Sequence, residues 1–213
     1  MTLLRIDASI QGGLSASSAL ADIVLGEFAA VCPEVPVVSR HLGHEPIAAD
    51  VWGHAIAGGF TPEQDRSAAQ REAVATAAQV ADEFRQASAA VLALPLYNYG
   101  ISQHVKTWID VALAGAPQGT ALLENTPTVL LTTRGGSYGP GTPREGWDHN
   151  TDYLRRVLED IWGADLTVVE REFTLVGVNP ALDEFAEVAA MMRKTAEEAA
   201  AAAGTRLAGR VAA

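Results

Sequence analysis

Residues Ala89 to Ser102 read AAVLALPLYNYGIS. The run from Ala89 to Pro95 is continuously apolar, as a strand covered on both faces must be, and such strands belong to parallel sheets with helices on either side. A proline then closes the run, and Tyr97-Asn98-Tyr99-Gly100 intervenes before helical spacing begins at Ser102 and continues to Ala114. Strand, polar aromatic loop and helix follow one another within 26 residues.

The same alternation extends in both directions. Leu3 to Ala8 is a short apolar strand, and Ser15 to Val31 carries apolar residues at helical spacing behind a Gly and Ser loop. Val35 to Leu42 predicts a second strand, and Glu45 to Phe60 is weakly patterned, a loop with a short helix. Thr61-Pro62-Glu63-Gln64 offers Thr as N-cap, Pro in the first turn and Gln at the capping-box position, predicting a helix to about Ala87. Thr128 to Thr133 is a further strand, Thr151 to about Trp162 a helix, and Leu166 to Thr174 the last strand. Pro180 opens a final Ala-rich helix, with the tail after Gly204 expected to fray. Five strands alternating with helices predict an α/β fold with a parallel sheet, in the flavodoxin-like order 2-1-3-4-5.

With 213 residues, the chain is expected to be a single domain from 1 to 213. Apolar residues make up 48% and charged residues 19%, without an apolar run long enough to cross a bilayer. The opening MTLLRIDASIQGG has no signal-peptide pattern, so a cytoplasmic protein is expected. A formal charge of −11 without a compensating basic cluster argues against nucleic-acid binding. The lone Cys32 forms no internal disulfide and builds no thiolate metal site. His41, His44 and Glu45 match no standard metal spacing, and no G-x-S-x-G motif supplies a serine nucleophile.

Doubly wound sheets bind ligands at the carboxyl ends of their strands, where strand order reverses. That rule selects three loops. Ser9 to Ser18 combines glycines and serines ahead of a helix, so backbone N–H groups, hydroxyls and the positive helix end can hold a phosphate. It matches neither the P-loop nor the dinucleotide fingerprint, and taken alone Ser15 or Ser17 needs only to cap the helix. Leu96 to Ile101 presents aromatic faces and an amide to a flat heteroaromatic ring, although both tyrosines could equally be packing residues. Thr133 to Trp147 begins with Arg134-Gly135-Gly136, where glycines admit close backbone approach and Arg134 could supply positive charge; a long surface turn is the alternative.

Together these residues resemble the FMN-dependent NADH-azoreductases and NAD(P)H:quinone oxidoreductases of the flavodoxin-like fold. LPLYNYGIS followed by QHVKTWID resembles that family's P-x-Y-N-F-x-I-P segment and helix, TTRGG its [ST]-R-G-G loop, and SIQGGLSASSAL its Ser-rich phosphate loop. The resemblance implies FMN as cofactor, with Ser9, Ser15, Ala16 and Ser17 around its phosphate. Leu96, Tyr97, Asn98 and Tyr99, with Thr133, Arg134, Gly135 and Gly136, would hold the isoalloxazine. It implies NADH or NADPH as donor, a quinone or azo compound as acceptor, and a ping-pong reaction. Flavin N5 would carry the hydride, so no protein residue is expected to be catalytic. A homodimer is implied as well.

Two departures bear on the acceptor. The segment GAPQGTALLENTP, Gly115 to Pro127, lacks an aromatic that many members place over the flavin, and Trp162 follows Asp160-Ile161 where others carry phenylalanine. A flavodoxin-like electron carrier or flavin-supplying reductase is the rival expectation, and a degenerate interaction module a third.

Overall fold

The computed structural model describes residues 1–212. Its sheet contains β1 (Leu3–Asp7), β2 (Val37–His41), β3 (Ala89–Ala93), β4 (Pro127–Thr133) and β5 (Asp165–Arg171), all parallel in the order β2-β1-β3-β4-β5. The apolar run that opened the sequence is the central strand, with all five of its residues buried. Leu92 is in register with Ile6 on one side and Leu130 on the other.

Alternation along β3 divides the core. Ala90 and Leu92 face a layer formed by α2 (Asp50–Phe60), α3 (Ala68–Gln86), α4 (Gln103–Ala114) and α5 (Thr151–Arg155, continued by a π-helical turn Arg156–Ile161). Val91 and Ala93 face α1 (Ala16–Val31) and α6 (Ala186–Ala212). In the first layer, Phe84 lies 4.9 Å from Trp108 and 4.7 Å from Trp162, centroid to centroid, tying α3, α4 and the end of the π turn together. Trp162 is fully buried there, so it cannot stand in for a substrate-facing phenylalanine. Its neighbour Ile161 faces outward.

Three expectations about elements need correction. Thr61 ends α2 rather than starting α3: its hydroxyl donates to the Ala57 carbonyl, and Pro62 to Arg66 form a short bridging turn. The capping box belongs to Ser67, whose hydroxyl accepts the Gln70 N–H while the Gln70 side chain accepts the Ser67 N–H. β5 stops at Arg171 instead of Thr174, because Phe173 to Leu175 turn back onto the loop after β4. Among the described residues the expected fraying after Gly204 does not occur, and Ala213 lies outside them. Leu207 and Ala208 are buried against α1, and Gly204 sits so close to it that an added Cβ would lie 2.5 Å from the Val24 carbonyl oxygen.

Candidate functional site

Strand order reverses between β1 and β3, so the loops leaving their carboxyl ends diverge and open a crevice. Two contacts set its shape. The Tyr97 hydroxyl accepts the Ile10 N–H at 3.0 Å and lies 3.3 Å from Ser9 Oγ, joining the two loops. Leu96 N–H donates to the Thr133 carbonyl at 3.0 Å, bringing in the loop after β4.

At the entrance to α1, two of the first N–H groups already have partners. Ser15 N–H donates to the Gly12 carbonyl, and Ser18 N–H to Ser15 Oγ at 3.1 Å, so Ser15 is the N-cap. The Ala16 and Ser17 N–H groups are the ones a helix start leaves without intrahelical partners. Both residues line a small pocket of about 90 Å³ with Ser9 and Ser15. Ser17 Oγ lies 3.2 Å from Ser15 Oγ in its wall. Free amides, hydroxyls and a helix N-terminus converging on a cavity of that size fit a phosphate group.

Leu96, Tyr97, Thr133 and Gly135 complete the pocket, so eight of the expected residues meet in one place. Gln11, Pro95, Thr174 and Leu175 line it as well, the last two arriving from beyond β5, outside the three loops selected from the sequence. Leu175 reaches Gly135 because its N–H donates to the Gly135 carbonyl, and a Cβ on Gly135 would come within 2.6 Å of Leu175 Cδ1. The glycine lets the Leu175 side chain lie directly against the loop after β4.

The remaining four expected residues lie outside that pocket. Asn98 and Tyr99 form the tip of a turn closed by reciprocal bonds between Tyr97 and Gly100, with φ of 48° and 69° respectively. Positive φ suits Asn, but for a bulky residue such as Tyr99 it is strained, and strain of this kind concentrates at functional sites. Tyr99 is 43% exposed and meets Trp147 edge-on at 5.5 Å, with Tyr138 at 6.4 Å. Gly136 lies beside the Arg144 guanidinium and lines a different cavity from the phosphate-sized pocket.

Arg134 is already paired within the protein. Its side chain is buried, and its guanidinium donates to Asp148 Oδ2 at 2.7 Å, Glu170 Oε2 at 2.7 Å and Thr151 Oγ1 at 3.0 Å. Burial acts against its charge, but Glu170 and Asp148 outweigh that and the net pKa shift is upward. The positive charge is consumed in pinning the Gly135-Gly136 loop to β5 and α5. Asp148 in turn caps α5: burial would raise its pKa, but N–H bonds from Thr151 and Asn150, the Thr151 hydroxyl and Arg134 hold it below the usual carboxylate value.

The segment Gly115 to Pro127 lines a groove separate from the phosphate-sized pocket. Phe60, 89% exposed at the end of α2, borders an apolar groove with Ile56, Leu113, Pro117 and Ile161. His41 and His44 stack on each other at 3.7 Å between ring centroids beside Gly12.

A five-stranded parallel sheet with a phosphate-sized pocket at its switch point defines the flavodoxin-like class of α/β proteins. The chain belongs to the family described as Flavodoxin-like fold, which it matches over residues 1–199. Within that family it is related to proteins named FMN-dependent NADH:quinone oxidoreductase. The one from Frankia alni is 35% identical over 202 residues, spanning 92% of this chain and 95% of that one. The one from Streptomyces avermitilis is 35% identical over 216 residues, spanning 100% and 99%. Among solved structures, an azoreductase from Bacillus anthracis str. Sterne superimposes with a TM-score of 0.76 at 21% identity, covering 97% of this chain and 100% of its own. An FMN-dependent NADH-azoreductase from Bacillus anthracis str. Ames Ancestor, solved in complex with FMN, has the same fold with a TM-score of 0.73 at 20% identity, covering 97% and 99%. No helix among the described residues is long and apolar enough to cross a membrane.

Proposed function

We propose that this chain is an FMN-dependent oxidoreductase that takes hydride from NADH or NADPH and passes two electrons to a quinone or azo-type acceptor by a ping-pong route. The observation that carries this reading is that Ala16 and Ser17, whose amides have no partner among the described residues, line one phosphate-sized pocket at the switch point together with the hydroxyl-bearing residues Ser9 and Ser15. Relatives named for FMN, NADH and quinone support the same chemistry.

In this reading Ser9, Ser15, Ala16 and Ser17 bind the phosphate. Leu96 to Tyr99 and Thr133 to Gly136 flank the ring, with Arg134 acting through its ion pairs to hold the glycine loop. When bound, FMN supplies the hydride-accepting atom. The protein binds, orients and shields, and no side chain need transfer a proton in the hydride step. Donor and acceptor use the cofactor alternately.

The reading includes a homodimer acting in the cytoplasm. The exposed apolar groove of Ile56, Phe60, Leu113 and Ile161 supports the dimer, because contiguous apolar surface of this kind marks interaction sites. Sedimentation across a concentration series tests it.

The test of the flavin chemistry is a titration of apoprotein with FMN, followed by anaerobic addition of NADH or NADPH and then of a quinone. Saturable binding, rapid bleaching and recovery of colour with the quinone are expected. A protein that leaves FMN free in solution overturns the reading. Slow bleaching with a stable one-electron form points to a carrier instead.

A further inference from the structure

We propose a second binding site, for a compact apolar carboxylate, in the cavity between the loop after β4 and the start of α6. The cavity measures about 490 Å³ and is walled by Phe173, Leu182, Phe185, Val188 and Met192, with Gly136 at its edge. Phe173 and Phe185 stack at 5.1 Å, so one wall is a flat aromatic surface.

Polar groups in this wall are few, and all but one are already engaged. Ser137 Oγ donates to Glu172 Oε2 at 2.6 Å, and Thr142 Oγ1 donates to the Gly139 carbonyl at 2.8 Å. Arg144 is the exception. Among the described residues its guanidinium has no carboxylate or carbonyl partner; it lies over the Tyr138 ring, 5.7 Å from the centroid. The acidic side chains nearby are turned elsewhere: Glu145 accepts the Gly141 N–H at 2.8 Å, and Glu172 accepts from Ser137, the Tyr138 N–H and Arg134. The absence of Cβ at Gly136 lets the guanidinium lie against the loop, since an added Cβ would come within 2.6 Å of Arg144 Nη1.

An unpaired guanidinium on the wall of an otherwise apolar cavity calls for a ligand that buries a flat or compact hydrocarbon body and presents one carboxylate to the fork. A neutral molecule of the same shape would fill the walls and leave the cation without a partner. The site is distinct from the phosphate-sized pocket, which lies against Gly135, whereas this cavity lies against Gly136. Phe173 N–H donates to the Gly136 carbonyl, so the two sites share one loop.

The test uses 2-naphthoate and its neutral isostere 2-naphthamide, titrated by calorimetry into the purified protein with and without saturating FMN. Saturable 1:1 binding of naphthoate is expected, about tenfold tighter than the amide, as a charge-assisted hydrogen-bond pair implies. Arg144→Gln should remove that preference, Arg144→Lys should retain part of it, and Val188→Trp should weaken both ligands by filling the cavity. Each variant is checked by circular dichroism and by FMN titration, neither of which should change. Equal affinity for acid and amide, absence of saturation, displacement of naphthoate by FMN, or a preference that survives Arg144→Gln overturns the assignment. Because FMN binding is measured on the same samples, a failure here is distinguishable from a failure of the flavin reading.

Discussion

The Tyr97 hydroxyl accepts the Ile10 N–H at 3.0 Å across a sequence separation of 87 residues, and this bond makes one crevice of two loops. The polar end of Tyr97 thus ties the loop after β1 to the loop after β3. Tyr97→Phe should keep the packing and release the loop after β1. With a single hydrogen bond worth on the order of 1 kcal/mol, FMN affinity should fall about fivefold while global stability changes little. Fluorescence titration of the apoprotein beside a urea melt measures both.

Tyr99 holds φ at 69°, a value that favours glycine. Tyr99→Gly relieves about 1 kcal/mol of left-handed strain but loses edge contacts to Trp147 of similar size, so its stability should be close to that of the parent. Tyr99→Val loses the contacts and worsens the strain, and should cost about 1 to 3 kcal/mol. Denaturant midpoints that rank the two variants in the reverse order would disprove the strain.

Trp162 packs against Phe84 and Trp108 with its indole N–H buried and without a hydrogen-bond partner among the described residues. Trp162→Ala should cost about 3 to 5 kcal/mol. Trp162→Phe should cost far less, because the cavity it opens is offset by removing an unsatisfied donor. Thermal melts of both, with Ile161→Ala as a surface control within about 1 kcal/mol of the parent, test this assignment.

Asp148 has its pKa lowered in the folded protein from the ordinary 3.8. A depressed carboxylate contributes stability that is complete above its unfolded value and is lost as pH falls through its lower folded value. Asp148→Asn should therefore lower stability near neutrality, most plainly by leaving Arg134 short of a partner, and should flatten the decline below pH 3.8. Unfolding free energies measured from neutrality into that acid range give the slope; an identical acid limb in both proteins would refute it.

Gly204 lies against Val24 and Glu27 of α1, where an added Cβ would sit 2.5 Å from one backbone oxygen and 2.8 Å from a side-chain carbon. Gly204→Ala should cost about 1 to 3 kcal/mol through overpacking, although alanine is the better helix former. Leu207→Ala should cost about 2 to 4 kcal/mol. If the chain cut after Gly204 melted like the full protein, the packed C-terminal turn would be disproved.

Much of this was legible in residue patterns. The apolar run Ala89 to Pro95 stated that its strand was covered on both faces, and Ser9 to Ser18 announced a capped helix behind a polar loop. Thr61-Pro62 misled because a good N-cap residue is also a good C-cap partner: its hydroxyl can bond backward to Ala57 as readily as forward. The tail after Gly204 looked unpatterned because alanines carry little periodic signal, and only the closeness of α1 makes its small residues a packing surface.

By itself, the sequence determined the alternation of strands and helices, the parallel order and the three loops at the switch point, since burial periodicity and turn chemistry are local properties. Only the tertiary structure decided what the side chains in those loops do. Arg134 carries a charge that any ligand could have used, yet Asp148 and Glu170 arrive from elements 14 and 36 residues away and neutralise it. Arg144, ten residues beyond it on the same loop, has no such partner among the described residues and keeps its charge available. Pairing of charges is a matter of distance in space, and no local pattern records it.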